Sequence, residues 1–292
     1  MKYQKKYGFN KAYGDYQSLY LDKDIDLIYV ATPHAFHYQQ MMEILDYGKH
    51  IICEKSFTLN ALQAKEVFNK AKEKKLFVME AMWTRFLPTI IKVNELIKVG
   101  IIGDVKYLTA DFSIRAIVNK EHRLRNLSLG GGALLDLGIY PLTLAKMILG
   151  KSNNYSLEYE LDEITGVDIR ETIKLEYIDS YAILKSGFKE KLPEKAVVFG
   201  TNGKIVINEF YQATKAVFYD KDDSMIKIIH KPFEVNGFEY EIKSAIQSIE
   251  DGLIENSIMP HQETIEILEL MDDLRNKMNL KYPKELILNK EK

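Results

Sequence analysis

Short apolar runs alternate with helical patterns along the first third of the chain, the order expected of a parallel sheet covered by helices. Asp26-Leu27-Ile28-Tyr29-Val30-Ala31 is a continuous apolar run stopped at Thr32-Pro33, and it predicts a strand buried on both faces. A helix follows from about Phe36 to Tyr47, closed by Gly48, and then a second buried strand, Lys49 to Glu54. Ala61, Ala64, Val67, Phe68 and Ala71 recur at helical spacing between about Asn60 and Lys74, and Leu76 to Ala81 supplies a third strand. The connections are short enough for right-handed crossovers. Ahead of this unit, Lys2 to Tyr7 reads as the end of a helix stopped by Gly8, and Asp15 to Leu21 as another short helix. The sixteen glycines contain no G-x-G-x-x-G spacing, so the strand, glycine turn and helix that open a dinucleotide fold are missing and the chain reads as beginning mid-domain.

From about Phe86 the pattern changes. Leu87 to Val99 predicts a helix and Val105 to Phe112 alternates as a strand. Gly130-Gly131-Gly132 precedes an apolar helix from about Ala133 to Leu149, closed by Gly150. Strand-like runs follow at Ile169 to Tyr177, Tyr181 to Lys185, Ala196 to Phe199, Lys204 to Asn208 and Ala216 to Tyr219, with turns such as Thr201-Asn202-Gly203, and they predict an antiparallel meander. Amphipathic helices from about Phe238 to Gly252 and His261 to Asn279 end the pattern, the second started by Pro260. The fold class expected is therefore α/β. A shortened parallel-sheet domain, 1–85, precedes an α+β domain with a large open antiparallel sheet, 86–292.

At 292 residues and 46% hydrophobic, the chain holds enough apolar side chains for two modest cores. Its formal net charge of -2, with both signs interspersed, argues against nucleic acid and anionic membranes as partners and favours a small molecule. The single cysteine, Cys53, forms no internal disulfide and suits a reducing compartment, with the cytoplasm as the default. No apolar segment follows the basic amino-terminal residues, and no run approaches the roughly 18 consecutive apolar residues of a membrane span. Neither a signal peptide nor a transmembrane helix is expected.

Ligands of open parallel sheets sit beyond the carboxyl ends of the strands. Those ends read Thr32-Pro33-His34, Glu54-Lys55 and Met82-Trp83-Thr84-Arg85, a rim suited to a phosphate-bearing aromatic ligand, although exposed strand ends are polar in any case. Lys55 directly follows a buried strand, where an ammonium can polarise a carbonyl or hold a hydroxyl and burial can lower its pKa; the alternative is a surface ion pair with Glu54. Asp136 and Tyr140 lie four apart and share a helix face beside the glycine triplet. A phenol whose pKa is lowered by a nearby lysine can exchange a proton with an alcohol oxygen while hydride leaves the adjacent carbon. The alternative for Asp136 is a helix-start carboxylate favoured by the dipole. His34 and His37 have a spacing that would bring both near one metal, but no further ligand pattern accompanies them, and no metal site is expected. Cys53 reads as a small buried hydrophobe.

Taken in order, Ala31-Thr32-Pro33-His34, Gly48-Lys49-His50, Glu54-Lys55, Glu80 through Phe86, the glycine triplet through Asp136 and Tyr140, and Gly237-Phe238-Glu239-Tyr240-Glu241 resemble the Gfo/Idh/MocA oxidoreductases, in particular the branch with dimeric dihydrodiol dehydrogenases. The resemblance implies a Rossmann-type first domain, NAD or NADP as cofactor, and a sugar, polyol or dihydrodiol as substrate. It implies Lys55 as the catalytic lysine, Tyr140 as the proton donor or acceptor and Asp136 as a substrate-steadying carboxylate. Thr32, Pro33, His34, His37, Glu54, Trp83 and Arg85 would line the cofactor pocket with Lys55, and the open sheet would form a homodimer. Two departures stand out. Ser56 occupies the proline place of the family's Glu-Lys-Pro signature, restoring a backbone N–H, and the glycine-rich unit is absent. A non-catalytic truncated remnant that keeps the dimerising domain and a sugar-binding module are the competing readings.

Overall fold

The computed structural model describes residues 2–288. Two short helices, α1 (Lys2–Tyr7) and α2 (Tyr16–Leu21), precede three parallel strands, β1 (Leu27–Val30), β2 (His50–Glu54) and β3 (Val78–Ala81), hydrogen-bonded in that order. The crossovers are α3 (His34–Asp46) and α4 (Ala61–Lys74). Helix α4 starts where a side chain replaces the missing backbone acceptor: Asn60 Oδ1 accepts the Gln63 N–H at 2.9 Å. Ile51, Ile52 and Cys53 of central β2 and all of β3, whose outer edge is covered where Val78 N–H donates to the Ile254 oxygen, are enclosed. β1, the other edge strand of the described sheet, alternates between half-buried and buried residues, so the expectation of burial on both faces does not hold there.

A 3₁₀ turn, Trp83–Phe86, leads into α5 (Pro88–Lys98), which carries proline in its first turn, where no backbone N–H is needed. The large sheet is built from β4 (Val105–Ser113), β5 (Asn154–Leu161), β6 (Asp168–Glu176), β7 (Tyr181–Gly187), β8 (Lys195–Gly200), β9 (Gly203–Asn208), β10 (Lys215–Asp220) and β11 (Met225–His230). Its order is β11-β10-β9-β8-β4-β7-β6-β5. Two antiparallel meanders flank β4, which pairs antiparallel with β8 but parallel with β7. The meanders pair antiparallel as expected, and the sheet is mixed at one pair, β4 with β7, because β4 comes from a separate segment and enters the middle of the sheet. On one face Leu108, Ala110, Ala182, Leu184, Ala196 and Val198 are fully buried. On the other, Tyr107 stacks on Tyr181 at 4.6 Å and on Phe199 at 5.4 Å between ring centroids.

The glycine triplet does not open a continuous α-helix. Leu134–Gly138 forms a π turn, and α6 (Ile139–Leu149) continues from it across the buried face of β4 and β7. Gly132 has φ +128°, and a Cβ there would lie 2.1 Å from Asp168 Oδ1, while Asp168 Oδ2 accepts the Leu134 N–H at 2.5 Å. Only glycine permits that approach. The stretch Leu127–Leu149 is long and apolar enough to cross a membrane by length and composition alone, yet 78% of its apolar window is buried inside the protein, as a core helix is. The chain closes with α7 (Glu239–Glu250), α8 (His261–Met278) and α9 (Pro283–Leu288). Helix α8 packs on α4, and its Thr264 hydroxyl donates to Glu80 Oε2 of β3 at 2.9 Å, tying the end of the chain back to the parallel sheet.

Candidate active site

The carboxyl ends of β1 and β2 face the π turn, and Lys55 spans the gap. Its Nζ donates to the backbone oxygen of Asp136 at 2.6 Å, lies 3.7 Å from Asp136 Oδ1 and stands 4.8 Å from the centre of the Tyr140 ring. The lysine that follows a buried strand and the carboxylate and phenol that share a helical face thus meet in one place, although they are far apart in sequence. The π turn widens the helix where it carries Asp136, a distortion common at functional sites. The Lys55–Ser56 peptide is cis, and Ser56 Oγ donates to the Leu135 oxygen at 2.9 Å, so the serine in the proline place ties the lysine loop to the same turn.

Charge sets the character of the site. Burial acts to lower the Lys55 pKa, but Tyr140, Asp136 and Glu54 outweigh it and hold the ammonium above its ordinary value. A lysine depressed towards neutrality was the expectation, and its titratable neighbours reverse it. Tyr140 is likewise corrected: burial raises its pKa, and the pull of Lys55 and of the Trp83 indole N–H, which donates to the phenol oxygen at 3.3 Å, leaves it still above the ordinary value. Burial also acts to raise Asp136, but Lys55 and Arg123 bring its pKa down to about 2. At neutral pH the site therefore holds an ammonium, a carboxylate and a protonated phenol.

The other predicted residues divide. Glu54 accepts the Tyr29 hydroxyl at 2.7 Å and lies beside Lys55, with its Oε2 3.3 Å from the Lys55 N–H. Thr32 Oγ1 donates to Gln40 at 2.7 Å, and Pro33 is the N-cap residue of α3. Trp83 is sandwiched by Phe238, with 4.5 Å between ring centroids, and touches Tyr140. His34 is buried, and burial, aided by His37, lowers its pKa to about 4. A neutral imidazole has one N–H. The Nδ1 contact to the Gly130 oxygen at 2.9 Å is the better placed hydrogen bond, and the Nε2 contact to the Lys55 oxygen at 3.2 Å is only an approach. His34 therefore joins the lysine loop to the glycine triplet from inside. His37 is fully enclosed, with Nε2 2.7 Å from the Thr32 oxygen. Arg85 faces the other way, donating to the Ile258 oxygen and to Glu263, both at 2.8 Å. The sequence places His37 and Arg85 at the rim only because strand ends were read without the rotation of the turns that follow. Cys53 is buried, and burial raises its thiol well above the ordinary range. Among the described residues no group of three or more metal-ligating side chains converges.

Residues 2–82 match the oxidoreductase family described as an NAD-binding Rossmann fold, and residues 90–206 match the GFO/IDH/MocA C-terminal domain. The D-xylose 1-dehydrogenase (NADP(+)) of Hypocrea jecorina is 33% identical over 320 residues, covering 95% of this chain and 78% of the relative. The chain belongs to the Gfo/Idh/MocA oxidoreductase family. A trans-1,2-dihydrobenzene-1,2-diol dehydrogenase of Xenopus tropicalis is also 33% identical, over 281 residues, covering 94% of this chain and 84% of the relative. The same fold occurs in a 3-ketoreductase of Actinomadura kijaniata solved with NADP and TDP-benzene, at TM-score 0.82 and 24% identity over 94% of this chain and 85% of that one. The aldose-aldose oxidoreductase of Caulobacter crescentus shares it at TM-score 0.83 and 20% identity, covering 95% of this chain and 85% of that one.

Several residues at this site escape a reading of sequence. Arg123 donates to Asp136 Oδ1 at 2.7 Å from a loop that has no periodicity to mark it. Tyr29 bridges Glu54 and the fully buried Glu241 of α7, the second contact at 3.2 Å, and Glu241 is pushed up to about 8 by burial and then by Glu54. The Gly237–Glu241 segment carries a family signal, but its partners, Trp83 and Tyr29, are visible only in three dimensions.

Proposed function

We propose that this chain transfers hydride between NAD or NADP and a sugar, polyol or dihydrodiol, with Lys55, Tyr140 and Asp136 as the reacting set. The observation that carries the reading is the convergence of Lys55 on both the Asp136 backbone and the Tyr140 ring. The cofactor fits at the nicotinamide end. Lys55 commits one N–H to the Asp136 oxygen and keeps others for a ligand, and Thr32, Pro33, His34, Glu54 and Trp83 shape the strand ends around it. When bound, the nicotinamide supplies or accepts the hydride. Tyr140 accepts from Trp83 and retains its own proton, which it gives to a substrate carbonyl oxygen as that oxygen becomes an alcohol. Lys55 stabilises the charge developing on the same oxygen, and Asp136 accepts a neighbouring substrate hydroxyl. The protonated phenol is the form that can donate to a carbonyl oxygen during reduction. We assign residues 1–85 to cofactor binding and 86–292 to substrate binding. The half-buried aromatic face of Tyr107 and Phe199, with Tyr181 exposed beside them, supports a homodimer, and the single buried thiol supports the cytoplasm as its compartment.

Purified protein with NADPH or NADH and a panel of pentoses, hexoses, polyols and dihydrodiols should change nicotinamide absorbance with at least one substrate, and Lys55→Met should lose roughly 10²–10⁴-fold in kcat/KM. Carbohydrate binding in calorimetry without turnover of the nicotinamide would favour a sugar-binding module instead.

A further inference from the structure

One carboxylate oxygen at the site serves two cations. Asp136 Oδ1 accepts from Arg123 Nη1 at 2.7 Å and lies 3.7 Å from Lys55 Nζ, and both contacts are ion pairs. The Asp136 and Lys55 side chains are only 10% and 13% exposed, whereas that of Arg123 is 51% exposed. Lys55 thus stops short of hydrogen-bonding distance from the carboxylate and bonds the backbone oxygen of the same residue instead. Two positive groups on one oxygen repel each other, and the nearer one fixes how closely the other approaches. A buried lysine and carboxylate with no competitor would close to direct contact, since an uncompensated charge is costly there. The loop carrying Arg123 is itself held in place: a Cβ on Gly131 would lie 2.6 Å from the Arg123 oxygen and 2.8 Å from the Leu124 oxygen, so the loop packs against the glycine triplet.

We propose that Arg123 is a positioning residue of the Lys55–Asp136–Tyr140 site, occupying Asp136 Oδ1 so that Lys55 does not collapse onto that carboxylate and keeps its ammonium directed at the ligand oxygen. The inference rests on the function proposed above. Arg123 has no other hydrogen-bond partner among the described residues, so its placement is spent on this one contact. The charged and titratable groups facing Asp136 are Lys55 from the loop after β2, His34 from α3, and Arg123, with Tyr140 one turn further along. Removing Arg123 leaves Lys55 as the only permanently charged cation beside the carboxylate. Lys55 then closes onto Asp136 Oδ1 and is withdrawn from the ligand oxygen.

The test is steady-state kinetics for the wild type, Arg123→Ala and Arg123→Lys, with cofactor affinity and Tm measured alongside. Loss of a charged hydrogen bond of this kind corresponds to about 10- to 100-fold. Arg123→Ala should lose that factor in kcat/KM, mostly in kcat, with cofactor affinity and Tm nearly unchanged. Millimolar guanidinium should restore activity, because the half-exposed side chain leaves an opening of the right shape. Arg123→Lys should fall between the two. Wild-type kinetics in Arg123→Ala, or reduced activity that guanidinium does not restore, would overturn the proposal. A wild-type protein without turnover would instead remove the functional reading on which it stands, so the two failures are distinct.

Discussion

Gly132→Ala tests whether the turn that carries Asp136 is as tightly set as its surroundings imply. The glycine has φ +128°, and the new Cβ would meet Asp168 Oδ1 at 2.1 Å, Asp168 Cγ at 2.9 Å and the Tyr282 hydroxyl at 3.2 Å. Asp168 cannot retreat freely, because its other oxygen holds the Leu134 N–H at 2.5 Å and the residue is wholly buried. Glu171, also buried, lies beside Asp168, and burial and then Asp168 raise its pKa well above the ordinary value. The backbone conformation costs an alanine on the order of 1–3 kcal/mol, and forced overpacking adds about 1–3 kcal/mol. A total of about 2–6 kcal/mol corresponds to a fall in Tm on the order of 5–15 °C for a chain of this size. Gly166→Ala is the matched control: its φ is +75°, but nothing lies within 4 Å of the added methyl, so only a backbone cost of about 1–2 kcal/mol applies. Differential scanning fluorimetry on both variants, with nicotinamide-linked turnover as a second readout, separates the terms. A Gly132→Ala shift no larger than that of Gly166→Ala would refute the crowding argument.

Tyr140→Phe removes the phenol and leaves the Trp83 indole N–H without its acceptor; reductive turnover should fall roughly 10²–10⁴-fold while Tm drops by only a few degrees, checked by kinetics and thermal melts. Glu241 contributes a stability that depends on pH in a defined direction. Its pKa rises from an ordinary 4.5 to about 8 on folding, so the native state holds the extra proton and stability falls as pH increases between those values. Unfolding free energies from urea titrations should therefore drop by up to about 1.4 kcal/mol per pH unit across that window, and Glu241→Gln should flatten that part of the slope; an equal slope in the variant would contradict it. Arg85→Ala should reduce Tm while leaving the cofactor KM unchanged, since its guanidinium serves Ile258 and Glu263.

Much of this architecture is readable from residue order because local and tertiary preferences agree. Enclosed runs such as Ile51-Ile52-Cys53 become central strands, and Asn60 starts α4 as its side chain dictates. The parallel pairing of β4 with β7 is not readable, since neither strand carries a mark of its neighbour. The π turn is hidden for a similar reason: Leu134 to Gly138 has the composition of an ordinary apolar helix, and what widens around it is packing against β6 and β7. Lys55, Asp136 and Tyr140 stand out in sequence because a charge after a buried strand and two polar groups on an apolar helix need a reason to be there. Their ionisation is not legible in the same way. It depends on which of burial and neighbouring charge is larger at each atom, and Arg123, which adds to the pull of Lys55 on Asp136, approaches from an irregular loop.

The most direct measurement is to run the reductive reaction with nicotinamide cofactor deuterated at the reactive carbon and to locate the label in the product by mass spectrometry and NMR. The account predicts deuterium on the carbon bearing the new hydroxyl, formed by the wild type and reduced at least about a hundredfold in rate in both Lys55→Met and Tyr140→Phe. Label transfer at the wild-type rate in those two variants would show that the groups meeting beside the π turn are not where the chemistry occurs.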